Sequence, residues 1–236
     1  MKVKILGTRG EIEESLPKHS KHSGVLVDGK LLFDLGEKEF LKYHPKHIFI
    51  THLHPDHAYF VRWGKEEKPS VSIPIYCPEL PEKKFLRDSV RVLTTEIELD
   101  SYKIICIPTH HSKKVKSQAY LIKSEQHSVL YTGDLIWINK EYQDLFNRVD
   151  VIITEGSFIR KGGMVRKDKE TGQLYGHTGI PNLIDLFKSY TKKIVFMHFG
   201  AWFYKDIDAA RKVIEALGKE KGIQTFAAYD GMEIDL

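Results

Sequence analysis

Apolar and polar positions along this chain follow two different rhythms. In the first half, short apolar runs recur between polar turns: residues 1–7 alternate, Val25-Leu26-Val27 and Leu31-Leu32-Phe33 flank Asp28-Gly29-Lys30, and Ile48-Phe49-Ile50 follows. Period-two alternation and short apolar runs bounded by turn residues are strand signals, and Asp-Gly between two runs is a hairpin signal. Further strands are expected at 70–76, 90–92, 97–99 and 102–107, and a hairpin from 119–122 and 129–131. Short helices are expected at 37–43, 56–64 and 80–88. In the second half strand and helix alternate: helix 138–146, strand 149–154, helix 180–190, strand 194–197, helix 205–217 and strand 224–228. Ile207, Val213, Ile214 and Leu217 give the last helix its apolar stripe. A strand-rich half followed by alternating strand and helix predicts one α/β domain over 1–236, with two sheets and outer helices.

Composition narrows this only a little. A chain of 236 residues with 42% hydrophobic content can bury a sizeable core. The net charge of +4 permits a phosphate-bearing substrate but is not that of a dedicated nucleic-acid coat. Cys77 and Cys106 stand alone in strand-like runs. With no CxxC pair they read as buried free thiols, which places the protein in a reducing cytoplasm. The opening residues form no targeting segment, no apolar run is long enough to cross a membrane, and no stable protein partner is inferred.

The chemistry concentrates in Thr51-His52-Leu53-His54-Pro55-Asp56-His57, directly after the Ile48-Phe49-Ile50 run. Alternation along an extended segment points His52 and His54 the same way. Pro55 closes that segment and suits a first helical turn, from which Asp56 and His57 project in a second direction. One loop thus offers two ligand clusters, suited to two divalent cations a few ångströms apart. Neutral imidazole and carboxylate favour zinc, with manganese or iron as alternatives.

Four more candidate sites fall where strands should end: Thr109-His110-His111-Ser112, Thr132-Gly133-Asp134, Met197-His198-Phe199, and the pair Glu155 and His177. Polar residues just past the carboxyl ends of buried strands are typical of active sites in layered α/β folds. Successive residues of a strand face opposite ways, so only one of His110 and His111 can join a given ion.

Taken together, His52, His54, Asp56, His57, a His at 110/111, Asp134 and His198 resemble the metallo-β-lactamase superfamily. The resemblance implies a four-layer αββα sandwich with its metal site at one edge. It implies that His52, His54 and the third-motif His, with His111 preferred because relatives carry His before Ser or Thr, hold one metal. It further implies that Asp56, His57 and His198 hold the second and that Asp134 bridges both. Leu6-Gly7-Thr8-Arg9-Gly10 and Phe33-Asp34-Leu35-Gly36-Glu37 resemble the phosphodiesterase branch, notably ribonuclease Z and the cyclic phosphodiesterase of phosphonate breakdown. Ribonuclease Z also carries a paired Glu and His, matched here by Glu155 and His177 with different flanking residues. One departure is clear. Ribonuclease Z has a long tRNA-gripping arm where this chain has 22 residues between His111 and Asp134, room for a hairpin. That speaks against transfer-RNA processing.

The expected function is therefore dinuclear metal-dependent hydrolysis of a small or cyclic phosphodiester or RNA. A metal-bridging hydroxide would attack, with Asp56 orienting it and His177, held by Glu155, as general acid. The competing expectations are hydrolysis of a carboxylic ester, thioester or lactone on the same metals, and a metal-binding module without catalysis. Segment 156–176, with Arg160, Lys161, Arg166, Lys167 and Lys169, is expected to be a lid loop suited to phosphate. Arg9, His19 and His22 are expected to face the site from the opening loop.

Overall fold

The short apolar runs pair into two large sheets in the computed structural model, which describes residues 1–236. The strands are β1 (Lys2–Gly7), β2 (Gly24–Val27), β3 (Leu31–Phe33), β4 (His47–Phe49), β5 (Ile75–Cys77), β6 (Arg91–Val92), β7 (Glu96–Leu99), β8 (Tyr102–Thr109), β9 (Ser117–Lys123), β10 (Ser128–Tyr131) and β11 (Val151–Gly156). They continue with β12 (Met164–Lys167), β13 (Leu174–His177), β14 (Lys193–Phe199), β15 (Gln224–Ala227) and β16 (Glu233–Asp235). One seven-stranded sheet runs β16-β1-β2-β3-β4-β5-β6 and the other β15-β14-β11-β10-β9-β8-β7. Strands β12 and β13 form a separate antiparallel hairpin.

Side-chain alternation explains why two sheets suffice for three cores. Val3, Ile5, Val25, Val27, Phe33 and Phe49 of the first sheet meet Ile104, Tyr120, Ile122, Tyr131, Ile153 and Val195 of the second in a cluster of 20 buried residues. The neighbours Leu26, Leu32 and Ile48 point the other way, against Phe40, Phe60 and Leu86. Leu121, Leu130, Ile152 and Phe196 likewise turn outward, onto Ile180, Leu183, Phe187 and Ile214. Strands apolar on both faces are what a sandwiched central layer requires. Phe33 stacks on Phe49 at 5.1 Å between ring centroids, and both contact Tyr120, at 5.5 and 5.4 Å.

The outer layer on the second sheet is α-helical. It comprises α1 (Lys140–Gln143), α2 (Ile180–Phe187), α3 (Ala201–Tyr204) and α4 (Ile207–Glu220). Pro181 sits in the first turn of α2, where its missing N–H costs nothing. Asp206 caps α4 by accepting from Ala209 N at 2.9 Å.

The outer layer on the first sheet departs from expectation. Helices expected at 37–43, 56–64 and 80–88 are single 3₁₀ segments, Lys38–Tyr43, Tyr59–Val61 and Lys84–Ser89. The reason is clear for the middle one. Asp56 and His57 give their carbonyls to Ser23 N and Leu35 N, at 3.0 and 2.8 Å, so those groups are spent on neighbouring chain rather than on a helix. Lid segment 156–176 also differs: much of it is the β12–β13 hairpin. Strands β3, β4 and β5 run parallel, as do β10, β11, β14 and β15. Several carboxyl ends are thereby gathered at one edge of the sandwich.

Candidate metal centre

The His-rich loop leaves β4 on a set of buried hydrogen bonds. Asp34, just past β3, accepts from Thr51 N at 2.7 Å, from His57 Nδ1 at 2.6 Å and from the Tyr131 hydroxyl at 2.7 Å. Thr51 Oγ1 also donates to Asp34 and accepts from His52 Nδ1 at 3.0 Å. These outward bonds consume the Nδ1 protons of His52 and His57 and leave each Nε2 lone pair facing inward. His111 is held the same way: its Nδ1 donates to the Gly176 carbonyl at 3.0 Å. Such second partners fix tautomer and ring orientation in metal sites.

Two clusters result. In the first, His52 Nε2 lies 3.0 Å from His54 Nδ1, and His111 Nε2 lies 3.3 Å from that same atom. Asp134 Oδ2 stands 3.8 Å from His52 Nε2 and 3.7 Å from His111 Nε2. In the second, His198 Nε2 contacts Asp56 Oδ2 at 2.8 Å, and His57 Nε2 lies 3.7 Å from that oxygen and 3.3 Å from Asp134 Oδ1. Four donors at zinc bond lengths of ~2.1 Å would sit roughly 3.4 Å apart on a tetrahedron, close to these spacings. Each oxygen of Asp134 therefore faces a different cluster.

The donor chemistry fits cations. His57 Nε2 and Asp134 Oδ1 are buried without a hydrogen-bond partner. Asp34, Asp56, Asp134 and Glu155 are the buried carboxylates of the molecule, and no Lys or Arg is buried with them. Buried acids without buried cations are costly unless metal or imidazolium offsets them. Both clusters are thus able to bind metal.

Backbone strain aims two of these groups. His198 takes a left-handed φ of 53° at the end of β14. Non-glycine residues hold such angles where surrounding structure over-determines them. Gly133 has φ 57°, and a Cβ there would meet Thr51 Oγ1 at 2.6 Å, so Asp134 can follow β10 only through glycine.

The sequence profile described as "Beta-lactamase superfamily domain" matches residues 38–199. The chain belongs to the β-lactamase superfamily. No curated protein sequence matches it. Among solved structures, it is similar to the metallo-β-lactamase fold protein YhfI from Bacillus subtilis, with TM-score 0.69 and 18% identity over 99% of this chain and 98% of that one. Human tRNase Z, short form, aligns with TM-score 0.64 and 18% identity over 100% and 99%. A diphosphatase of the PhnP family aligns with TM-score 0.63 and 16% identity over 100% and 97%. An isothiocyanate hydrolase from Delia radicum gut bacteria also matches, at TM-score 0.64 and 16% identity over 100% and 99%. At these identities the likeness shows the metallo-β-lactamase fold alone. As a member of the superfamily the protein is a metal-dependent hydrolase.

In this β-lactamase-superfamily site, burial holds the first cluster neutral. It lowers His52 well below its ordinary pKa, helped by His57, His54 and His111. It also lowers His54 and His111 to about 4. In the second cluster burial acts against charge too, yet Asp134 and Asp56 hold both His57 and His198 above the ordinary value. Asp134 is correspondingly kept well below the carboxylate range by His198 and His57 despite its burial.

Glu155 and His177 meet beside the clusters. Glu155 Oε2 bonds His177 Nδ1 at 2.8 Å, and Oε1 accepts from Leu135 N at 2.8 Å. Burial would depress His177, but Glu155 raises it to about 9. His110 turns away: its Nε2 bonds Asn139 at 2.7 Å and its ring meets Trp137. The opening-loop expectation is corrected as well. Arg9 and His22 bond each other at 2.9 Å, His22 binds Glu37 at 2.6 Å, and His19 binds Thr8 and Arg211. Instead Gly10, Glu11 and Ile12 reach the site, lining a cavity of about 470 Å³ with His54, Asp56, Asp134, His177 and His198. No cation of segment 156–176 lines that cavity.

Sequence reasoning passed over Asp34, Thr51 and Ser157 as site residues. Ser157 Oγ lies 3.0 Å from His198 Nδ1. Only Asp34 had a usable signal, an acid placed immediately after the apolar run Leu31-Leu32-Phe33.

Proposed function

We propose that the protein is a dinuclear metal-dependent phosphodiesterase acting on a small or cyclic phosphodiester or RNA. The observation that carries the reading is Asp134, with one oxygen toward each cluster. In this reading His52, His54 and His111 hold one cation, Asp56, His57 and His198 the other, and Asp134 both. The four buried carboxylates equal two divalent cations in formal charge. Zinc suits the imidazole-rich set best, with manganese and iron as alternatives. When bound, two such cations supply an activated water and stabilise charge on a phosphoryl oxygen.

The chain's own residues do the rest. Asp56, hydrogen-bonded to His198, orients the attacking water. His177, held by Glu155, offers its remaining nitrogen as a proton donor to the departing oxygen, a role typically worth about 10²–10⁴-fold. The Glu155–His177 pair suits an ester whose alkoxide leaving group needs a proton. Two buried free thiols suit a cytoplasmic setting. No helix is long and apolar enough to cross a membrane.

A second reading, hydrolysis of a carboxylic ester, thioester or lactone, draws on one observation: no Lys or Arg lines the cavity, where Ile12, Phe158, Met164 and Trp202 do. One measurement tests the metals that both readings need, and a second separates the readings. Elemental analysis of purified and zinc-reconstituted protein should give close to two equivalents; well under one removes the metal reading. Zinc- and manganese-loaded protein should cleave bis(p-nitrophenyl) phosphate. If that ester is untouched while a thioester or lactone is cleaved quickly, the second reading replaces the first.

A further inference from the structure

The cavity over the metal centre has two unlike sides. One is formed by His54, Asp56, Asp134, His177 and His198. The other is apolar: Ile12 from the opening loop, Phe158 after β11, Met164 at the start of β12, and Ala201 and Trp202 in α3. Two of these groups are anchored. Trp202 Nε1 donates to the Gly156 carbonyl at 2.9 Å, and Phe158 lies 6.1 Å from the His177 ring, centroid to centroid. Arg160 stays outside the lining: its Nε donates to the Gly163 carbonyl and its guanidinium stands 5.8 Å over the Phe158 ring. Glu11 is the remaining charged residue of the lining, and Arg62 contacts it at 3.1 Å.

A polynucleotide entering here would place further phosphates against Ile12, Met164 and a carboxylate, with no Lys or Arg in the lining to receive them. A single anionic phosphate with a flat apolar substituent fits better. Its charge lies at the metal side, and its ring is buried on an aromatic wall. Resting on the phosphodiesterase reading, we propose that Ile12, Phe158, Met164 and Trp202 form a recess for an aryl or heteroaryl group. That group is ester-linked to the scissile phosphate, so the substrates are small aryl-bearing diesters rather than RNA. In the balanced reaction a water oxygen bonds phosphorus, one ester P–O bond breaks, and the leaving oxygen takes a proton, giving a phosphate monoester and an alcohol.

Phenylphosphonate and methylphosphonate share a head group and differ in the ring, so their affinities for the zinc-loaded protein isolate the recess. Calorimetry should find phenylphosphonate bound roughly 10-fold or more tightly, the gain expected from burying a ring. Phe158→Ala, and separately Met164→Ala at a position 38% exposed and outside the packed cores, should move the ratio toward one. A wild-type ratio near one overturns the recess. It leaves the phosphodiesterase reading to stand or fall on bis(p-nitrophenyl) phosphate turnover. A ratio that persists in both variants also overturns it, as does binding of neither phosphonate, and bis(p-nitrophenyl) phosphate turnover again decides the phosphodiesterase reading separately.

Discussion

At the scale of single residues, this site depends on groups that never touch a cation. Asp34 is fully buried and accepts from Thr51, His57 and Tyr131. Replacing it with Asn leaves shape but removes the charge that holds the His57 Nδ1 proton outward. Asp34→Asn should weaken metal binding by about 10–100-fold, measured by zinc competition with a chromogenic chelator. His177 is the other informative position. His177→Ala should slow esters with poor leaving groups by roughly 10²–10⁴-fold and p-nitrophenyl esters much less, because p-nitrophenolate departs without a proton. A series of leaving groups of graded pKa reads this directly; equal losses across the series would remove His177 as the acid.

At the scale of elements, the β12–β13 hairpin is the part that links chemistry to support. Gly176 N donates to the His111 carbonyl at 2.7 Å, while the Gly176 carbonyl accepts from His111 Nδ1 at 3.0 Å. The next residue is His177. One strand thus orients a first-cluster imidazole and carries the proposed acid. Lys113 reinforces the attachment by pairing with Asp168 at 2.8 Å across the hairpin's far end. Gly176 has φ 116°, and a Cβ there would lie 2.1 Å from the Met164 carbonyl oxygen. Gly176→Ala should therefore displace the hairpin and lower both turnover and zinc stoichiometry. Elemental analysis alongside kinetics checks this, since a fault confined to His177 would spare the metal.

At the scale of the whole molecule, the two clusters join the two sheets. His52, His54, Asp56 and His57 follow β4 of the first sheet, whereas in the second sheet His111 and Asp134 follow β8 and β10 and His198 lies at the end of β14. Cations bound there would staple the sandwich at one edge, so chelation should lower the melting temperature. Ligand at a thousandfold excess over its Kd contributes about 4 kcal/mol, enough for a shift that differential scanning calorimetry resolves readily. A second long-range tie lies behind the site. His19 connects Thr8 to Arg211 of α4, and Thr8 in turn donates to Asp230 at 2.8 Å. Burial lowers the His19 pKa from 6.5 to about 4, with Asp230 opposing and Arg211 assisting. The unfolded chain then binds a proton that the folded chain excludes, so this contribution is present above 6.5 and is lost as pH falls toward 4. In chelator, urea midpoints at about pH 7 and pH 5 should differ more for the wild type than for His19→Gln.

Much of the sandwich was legible because strands buried on both faces write continuous apolar runs, as in Ile48-Phe49-Ile50 and Val129-Leu130-Tyr131. The side chains that the fold gathers into the two clusters were legible too: imidazoles and carboxylates past strand ends have few other reasons to cluster. Local spacing could not show that the backbone of 56–58 would be bonded to Ser23 and Leu35 instead of coiling, because those partners are remote in sequence. It could not assign Asp34 to His57, nor place the Gly176 carbonyl on His111, for the same reason. Nor could it show that Ile12, rather than Arg9 or His22, would reach the cavity, since both polar side chains found closer partners within the fold. Residue type and order along the chain determined which atoms were available to bind cations. Which lone pairs face one another, and what wall stands opposite them, was decided by packing two sheets face to face, a relation between segments that no local pattern encodes.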